Sequence, residues 1–400
     1  MQLIKAPYYS TDTLFLVLNK FLERSGYYGM RANVLIYLVQ TLNVPATKAS
    51  WVYGIFSIAL VGGMVIGGLI GDLVSGNRKA LIIGSALQTL GCFTMVIPNE
   101  QAVYAGLLLI VLGSGLCSPN SMALMARTHI NAKTLDGGFG MMMLATNLGA
   151  FLGVLVVAMV SVADMKVGFG LSGIFLMLST VFAILVKEPE IKQTTNTVSD
   201  ISLSVLLIFL LIAAAMIFWG ANELFGDRIF RTHRVLSEDL SLQSVLMVVL
   251  FIPMILFGTF VYVKPVIKNG LGLLVGAFGL LLLISVPEQF ELAPDFSTAL
   301  SIIILLSLAE ALFLPSLLTA LCRFSNEKYY ALIISAYLVL TRLTGIVVLQ
   351  VQQVMPGASW VIISISLMVM ALAIGIVIFG IYLKEPFINQ KYLSKEPLEE

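Results

Sequence analysis

Apolar residues fall in long runs along this chain, and short polar stretches separate the runs. A backbone inside hydrocarbon must satisfy its own hydrogen bonds, and a helix of about 20 residues crosses the core of a bilayer. Measured against that length, the pattern predicts twelve membrane-spanning helices. The first six lie near 13–40, 50–74, 79–97, 101–125, 136–160 and 167–186. The second six lie near 201–226, 240–263, 270–287, 297–322, 329–352 and 359–383. Pairs with turn chemistry, such as Pro98-Asn99, Pro287-Glu288 and Pro356-Gly357, mark several boundaries. The longest polar stretch among the central connections, 187–200, divides the chain into six plus six. That gives an N-terminal half over 1–186, a linker, a C-terminal half over 201–384 and a tail over 385–400.

Composition supports an all-α polytopic membrane protein. Hydrophobic residues make up 59% of the 400 positions and charged ones 11%, against roughly a quarter charged in soluble domains. So large an apolar share does not fit inside a water-soluble core and must face lipid. The net charge of +1 gives no electrostatic basis for nucleic-acid binding. Cys92, Cys117 and Cys322 lack metal-ligand spacing and read as small packing residues. The only histidines, His129 and His233, fall in predicted loops, so no histidine metal site is expected. The opening residues, Met1 to Asp12, do not resemble a cleavable signal peptide. Lys and Arg orient the spans. Lys48, Lys166, Arg228, Arg231 and Arg234 occupy one set of loops, while the opposite set holds many more, among them Arg78, Lys79, Arg127, Lys264 and Lys328. Both termini are therefore expected in the cytoplasm, with the protein in the cytoplasmic (inner) membrane. Two six-helix halves of this topology suggest the major-facilitator fold by analogy.

Ionisable groups inside spans are costly, which makes each a functional candidate. The first span is the outlier. Lys20, Arg24, Tyr27 and Arg31 follow i, i+4, i+7, i+11 and form one stripe, with Glu23 one helical step aside. Lipid does not tolerate such a stripe, so it should face other helices or a wet cavity, or else snorkel where it nears the cytosolic end. Glu223, Glu310 and Arg342 are the other charges deep in spans, and Asp72 lies at the cytosolic end of the second. Arg31 and Glu223 occupy the first helix of each half at similar depth, which suits either a gate between the halves or a static bridge.

The stretch Glu23-Arg24-Ser25-Gly26-Tyr27-Tyr28-Gly29-Met30-Arg31 resembles the first-helix motif of the proton-dependent oligopeptide transporters, Glu-x-x-Glu-Arg-Phe-x-Tyr-Tyr-Gly. Other segments agree in order. Gly67 to Asp72 with Gly76 and Arg78 resembles a loop signature shared across major facilitators. Gly113-Ser114-Gly115 with Pro119-Asn120, Asn147-Leu148-Gly149-Ala150, Phe218-Trp219 with Glu223, and Ala309-Glu310 with Pro315 resemble the fourth, fifth, seventh and tenth spans. The resemblance implies proton-driven uptake of short peptides, with the proton as coupling ion and no bound cofactor. It implies proton coupling through Glu23, Arg24, Glu223 and Glu310, and an outer gate between Arg31 and Glu223. It places Tyr27, Tyr28, Arg31, Asn120, Asn147, Trp219, Glu310 and Tyr337 at the substrate, and Asp72, Gly76 and Arg78 in the cytoplasmic loop motif. Three positions depart from the pattern: Lys20 replaces the first glutamate, Ser118 a fourth-helix lysine, and Leu224 a seventh-helix glutamine. Without that lysine, Glu310 lacks its usual partner. Arg342 either replaces the partner or binds a substrate carboxylate.

The remaining features read as packing. Gly62, Gly63, Gly67, Gly68 and Gly71 let helices approach closely. Met141-Met142-Met143 supplies adaptable contacts, and Trp51 and Trp360 read as interface anchors. No paired catalytic carboxylates, activated nucleophile or metal motif points to an enzyme. The expected partners are a small-molecule or peptide substrate and the lipid bilayer, and the sequence sets no oligomeric state. A carrier or exporter of amino acids, drugs or another small metabolite is the nearest alternative, and a non-transporting membrane partner the second.

Overall fold

The computed structural model describes residues 9–129, 132–187, 201–232, 249, 252–253, 263–282, 296–354 and 359–383. One group of helices comprises α1 (Thr11–Ile36), α2 (Ala46–Ile70), α3 (Asn77–Met95), α4 (Glu100–Thr128), α5 (Ala132–Ser161) and α6 (Met165–Leu185). A second comprises α7 (Ile201–Thr232), α8 (Pro265–Leu282), α9 (Phe296–Phe324), α10 (Tyr330–Val354) and α11 (Ser359–Tyr382). These correspond to every expected span except the eighth; apart from isolated positions, 240–263 lies outside the described residues, as do the linker 188–200 and the tail. Among the described residues, nine helices are long and apolar enough to cross a membrane. Neither α1, which carries Lys20, Glu23, Arg24 and Arg31, nor α3, which opens near Arg78 and Lys79, is one of them.

Local chemistry explains where the helices begin. The Ser10 hydroxyl accepts a hydrogen bond from the Thr13 amide, Asn99 from the Gln101 amide and Asp164 from the Lys166 amide, each filling an otherwise empty first-turn donor. A wide turn over Gly71–Ser75 follows α2 and ends at Gly76, whose φ of 80° suits glycine. Small residues set the spacing between α2 and α4. A side chain at Gly67 would collide with the Gly115 carbonyl, and one at Gly115 with Gly63. On the outer surface Ile55, Ile58, Leu108 and Ile378 are exposed, as a lipid-facing belt requires.

Among the described residues, several bonds join the two groups at one end of the bundle, called here the basic end because Arg78, Lys79, Arg127, Lys264 and Lys328 lie there. The Leu332 amide donates to Asp72 at 2.8 Å, and Arg127 donates to the Glu327 carbonyl at 2.9 Å. The Ser335 hydroxyl donates to the Met64 carbonyl at 2.9 Å, and buried Lys268 pairs with Asp136. Apolar side chains of α4 and α5, such as Met122, Leu124 and Phe139, share one core with Phe218 of α7 and Phe313 and Leu317 of α9.

Candidate functional site

The helical spacing of the first-span motif places its charges together. Glu23 is buried, and Arg24 donates to it from Nε and Nη2 at 2.5 and 2.7 Å. Lys20, also buried, stands 3.5 Å away on the preceding turn. Arg24 reaches on to the Ser118 hydroxyl of α4 at 3.0 Å, and its guanidinium lies 5.1 Å from the Tyr27 ring centre. One buried carboxylate is thus held by a forked guanidinium and faced by a second cation. Gln88, fully buried on α3, lies beside Glu23. Sequence reasoning passed over it, although a glutamine in mid-span was a usable signal.

One turn further, Arg31 does not pair with Glu223. Its Nε donates to the Tyr53 hydroxyl at 2.6 Å and its guanidinium lies 5.7 Å from that ring. Glu223 instead lies against Gly345 of α10. Arg31 and Glu223 are thus each in contact with another residue, and the bonds named above between the two groups sit at the basic end.

Glu310 is half-buried on α9 and makes no hydrogen bond or ion pair among the described residues. The charge acting on it is that of Arg342, one helix away on α10. Arg342 is exposed, and its charge also reaches Tyr337 on its own helix and Tyr27 on α1. Trp219 of α7 packs beside Phe218 and neighbours Tyr337. Tyr27 and Tyr28 of α1, Trp219 of α7, Glu310 of α9, and Tyr337 and Arg342 of α10 thus belong to helices of both groups, and the charge of Arg342 acts on Tyr27, Glu310 and Tyr337. Asn147 is half-buried, and its amide donates to the Met143 carbonyl one turn back.

Asn120 is a correction. It is fully buried, donating to the Gly67 and Leu116 carbonyls at 2.9 and 2.7 Å and accepting from Asn77 at 2.7 Å. With its polar atoms satisfied between α2 and α4, it has none to offer a substrate. It belongs instead to the loop network at the basic end. There Asn77 donates to Asp72, Arg127 approaches Asp72 at 3.4 Å, and Arg78 donates to the Ile184 and Val186 carbonyls at the end of α6. The Asp136–Lys268 pair was not anticipated, because each residue alone reads as an ordinary loop-end charge.

Comparison with known proteins gives consistent results. Residues 16–349 match the Major Facilitator Superfamily. The chain is 31% identical over 164 residues to dipeptide and tripeptide permease A of Pectobacterium carotovorum, covering 40% of this chain and 32% of that protein. It is 25% identical over 305 residues to the Escherichia coli K12 protein of the same name, covering 68% of this chain and 59% of that one. The chain thus spans less than two thirds of the length of these relatives. Among solved structures, a POT family transporter crystallised in meso superposes with a TM-score of 0.63 at 18% identity, covering 98% of this chain and all of that one. A peptide transporter POT in complex with sulfate gives 0.60 at 21% identity, covering 94% and 96%.

Proposed function

Because this chain belongs to the major facilitator superfamily, we propose that it is a proton-coupled secondary carrier that brings short peptides or related small solutes into the cell by alternating access. The observation that carries the proposal is a set of charges on α7, α9 and α10 that lack ion pairs among the described residues, and in this reading they line a central space. Ionisable groups inside a membrane are expensive unless they serve transport, yet Glu310, Glu223 and Arg342 face or border that space without ion pairs among the described residues. The similarity to dipeptide and tripeptide permeases over part of the chain supports the substrate class.

In this reading the basic end and both termini face the cytoplasm, and the conformation described is open to the outside. Asp72, Arg127 and the Asp136–Lys268 pair hold the cytoplasmic end shut. When the halves rock, Arg31 exchanges Tyr53 for Glu223 and closes the outer gate. An ion pair at about 4 Å and an effective dielectric near 20 gains roughly 4 kcal/mol before desolvation, enough to bias states separated by a few kcal/mol. Protonation of Glu223 cancels that attraction. Glu23, clamped by Arg24 and Lys20, acts as fixed structural charge, which leaves Glu310 and Glu223 as the coupling carboxylates.

A second reading keeps the carrier and changes the cargo to an amino acid or another small metabolite. Lys20 and Ser118 favour it, since together they move a lysine from α4 to α1 relative to the peptide-carrier pattern. Counterflow of a dipeptide panel in proteoliposomes, with and without a pH gradient, separates the two. Dipeptides should exchange and accumulate only with the gradient. Glu310→Gln should lose accumulation while remaining folded in the membrane. Exchange of amino acids but of no dipeptide would select the second reading.

A further inference from the structure

Of the cations on the membrane-embedded helices around the central space, Lys20 and Arg24 are tied to Glu23, and Arg31 is bonded to Tyr53. Arg342 has no hydrogen bond or ion pair among the described residues and is exposed. Its direction follows from helical phase. Ser335 and Arg342 are seven residues apart and share a face of α10. At Ser335 that face is buried against the Met64 carbonyl of α2. Two turns further from the basic end Arg342 is exposed on that face, and its charge acts on Tyr27 of α1 in the other group. The side chain therefore points into the space between the groups and not into lipid, where a bare guanidinium is not tolerated.

We propose that Arg342 is a specificity residue that receives the free carboxylate of the transported solute. The proposal rests on the carrier reading and names the chemical class of its cargo. A guanidinium presents a planar fork that matches a carboxylate with two parallel hydrogen bonds. Glu310 and Glu223 lie on neighbouring helices yet neither holds the fork, so it is available to an incoming anion. Arg31 and Arg24 present no equivalent, since each is already oriented by a partner.

The test is binding by the purified full chain, read as thermal stabilisation against concentration. The probes are matched pairs that differ only at the carboxyl group: dialanine with dialanine amide, alanine with alanine amide, and N-acetylalanine with its amide. The acid-to-amide ratio within one variant is independent of how much protein folds. The wild type should prefer an acid by about tenfold or more. Arg342→Gln should bring the ratio near one, and Arg342→Lys should retain part of it. A preference for the acid that survives Arg342→Gln overturns the proposal. So does an equal loss of acid and amide, which would make Arg342 an internal counter-charge, and so does a wild type that prefers no acid in any pair. If dialanine is ignored but alanine is discriminated through Arg342, the peptide reading fails and this assignment stands.

Discussion

His129 caps the end of α4, its Nε2 3.1 Å from the Thr13 hydroxyl and its ring edge-on to Tyr9. Burial lowers its imidazole from the usual 6.5 to about 4. The unfolded chain takes up a proton near pH 6.5, whereas the folded one does so only near pH 4. Stabilisation from a neutral His129 is therefore complete above about 6.5 and is lost as pH falls toward 4, by up to about 1.4 kcal/mol per pH unit. The melting temperature in detergent should drop on going from pH 7 to pH 5, and His129→Gln should drop less. Equal pH dependence in the two proteins would remove His129 as the cause. The same residue shows where sequence reading stops. Polarity placed His129 in a loop, and it does close a helix, but nothing local announces burial against α1. Asn120 misled for a related reason: a polar group in mid-span marks either a ligand or an interhelical tie, and only the facing backbone decides.

At the scale of elements, the seam between α2 and α4 makes a sharp pair of predictions. Gly67→Val would drive a side chain into the Gly115 carbonyl, where backbone cannot yield, while Gly62 has nothing within 4 Å of an added side-chain atom. Gly67→Val should lower stability by about 1–3 kcal/mol, and Gly62→Val should melt like the wild type. Similar melting of both variants would show that the seam is looser than described. Most of the described helix positions were legible because length and apolarity mark a span, and the glycine clusters were legible as packing. Which glycine meets which helix was not, since Gly62 and Gly67 look alike in one dimension. The spacing within the first helix put Glu23 beside both Lys20 and Arg24, and the structure pairs it with both. Asp136 with Lys268, 132 residues apart, had no such local signature.

For the whole molecule, the carrier reading makes the joined basic end and the separated Arg31 and Glu223 one side of a two-state equilibrium. Removing the buried Asp136–Lys268 pair with Asp136→Asn and Lys268→Met should weaken that closure. Labelling of a cysteine placed beside Arg31, from the side opposite the basic end, should fall several-fold, as a shift of about 1–2 kcal/mol implies. Unchanged labelling would make the pair a passive contact. The charge cluster of α1 also bears on how such a molecule is made. Glu23 finds Lys20 and Arg24 within its own helix, so much of the cost of carrying these charges into a bilayer is offset before any later helix exists. Arg31 gains Tyr53 with the next helix to emerge, and Arg24 meets Ser118 only when the fourth arrives. During synthesis, this polar helix can thus enter the membrane ahead of α2 and α4 and wait there for them.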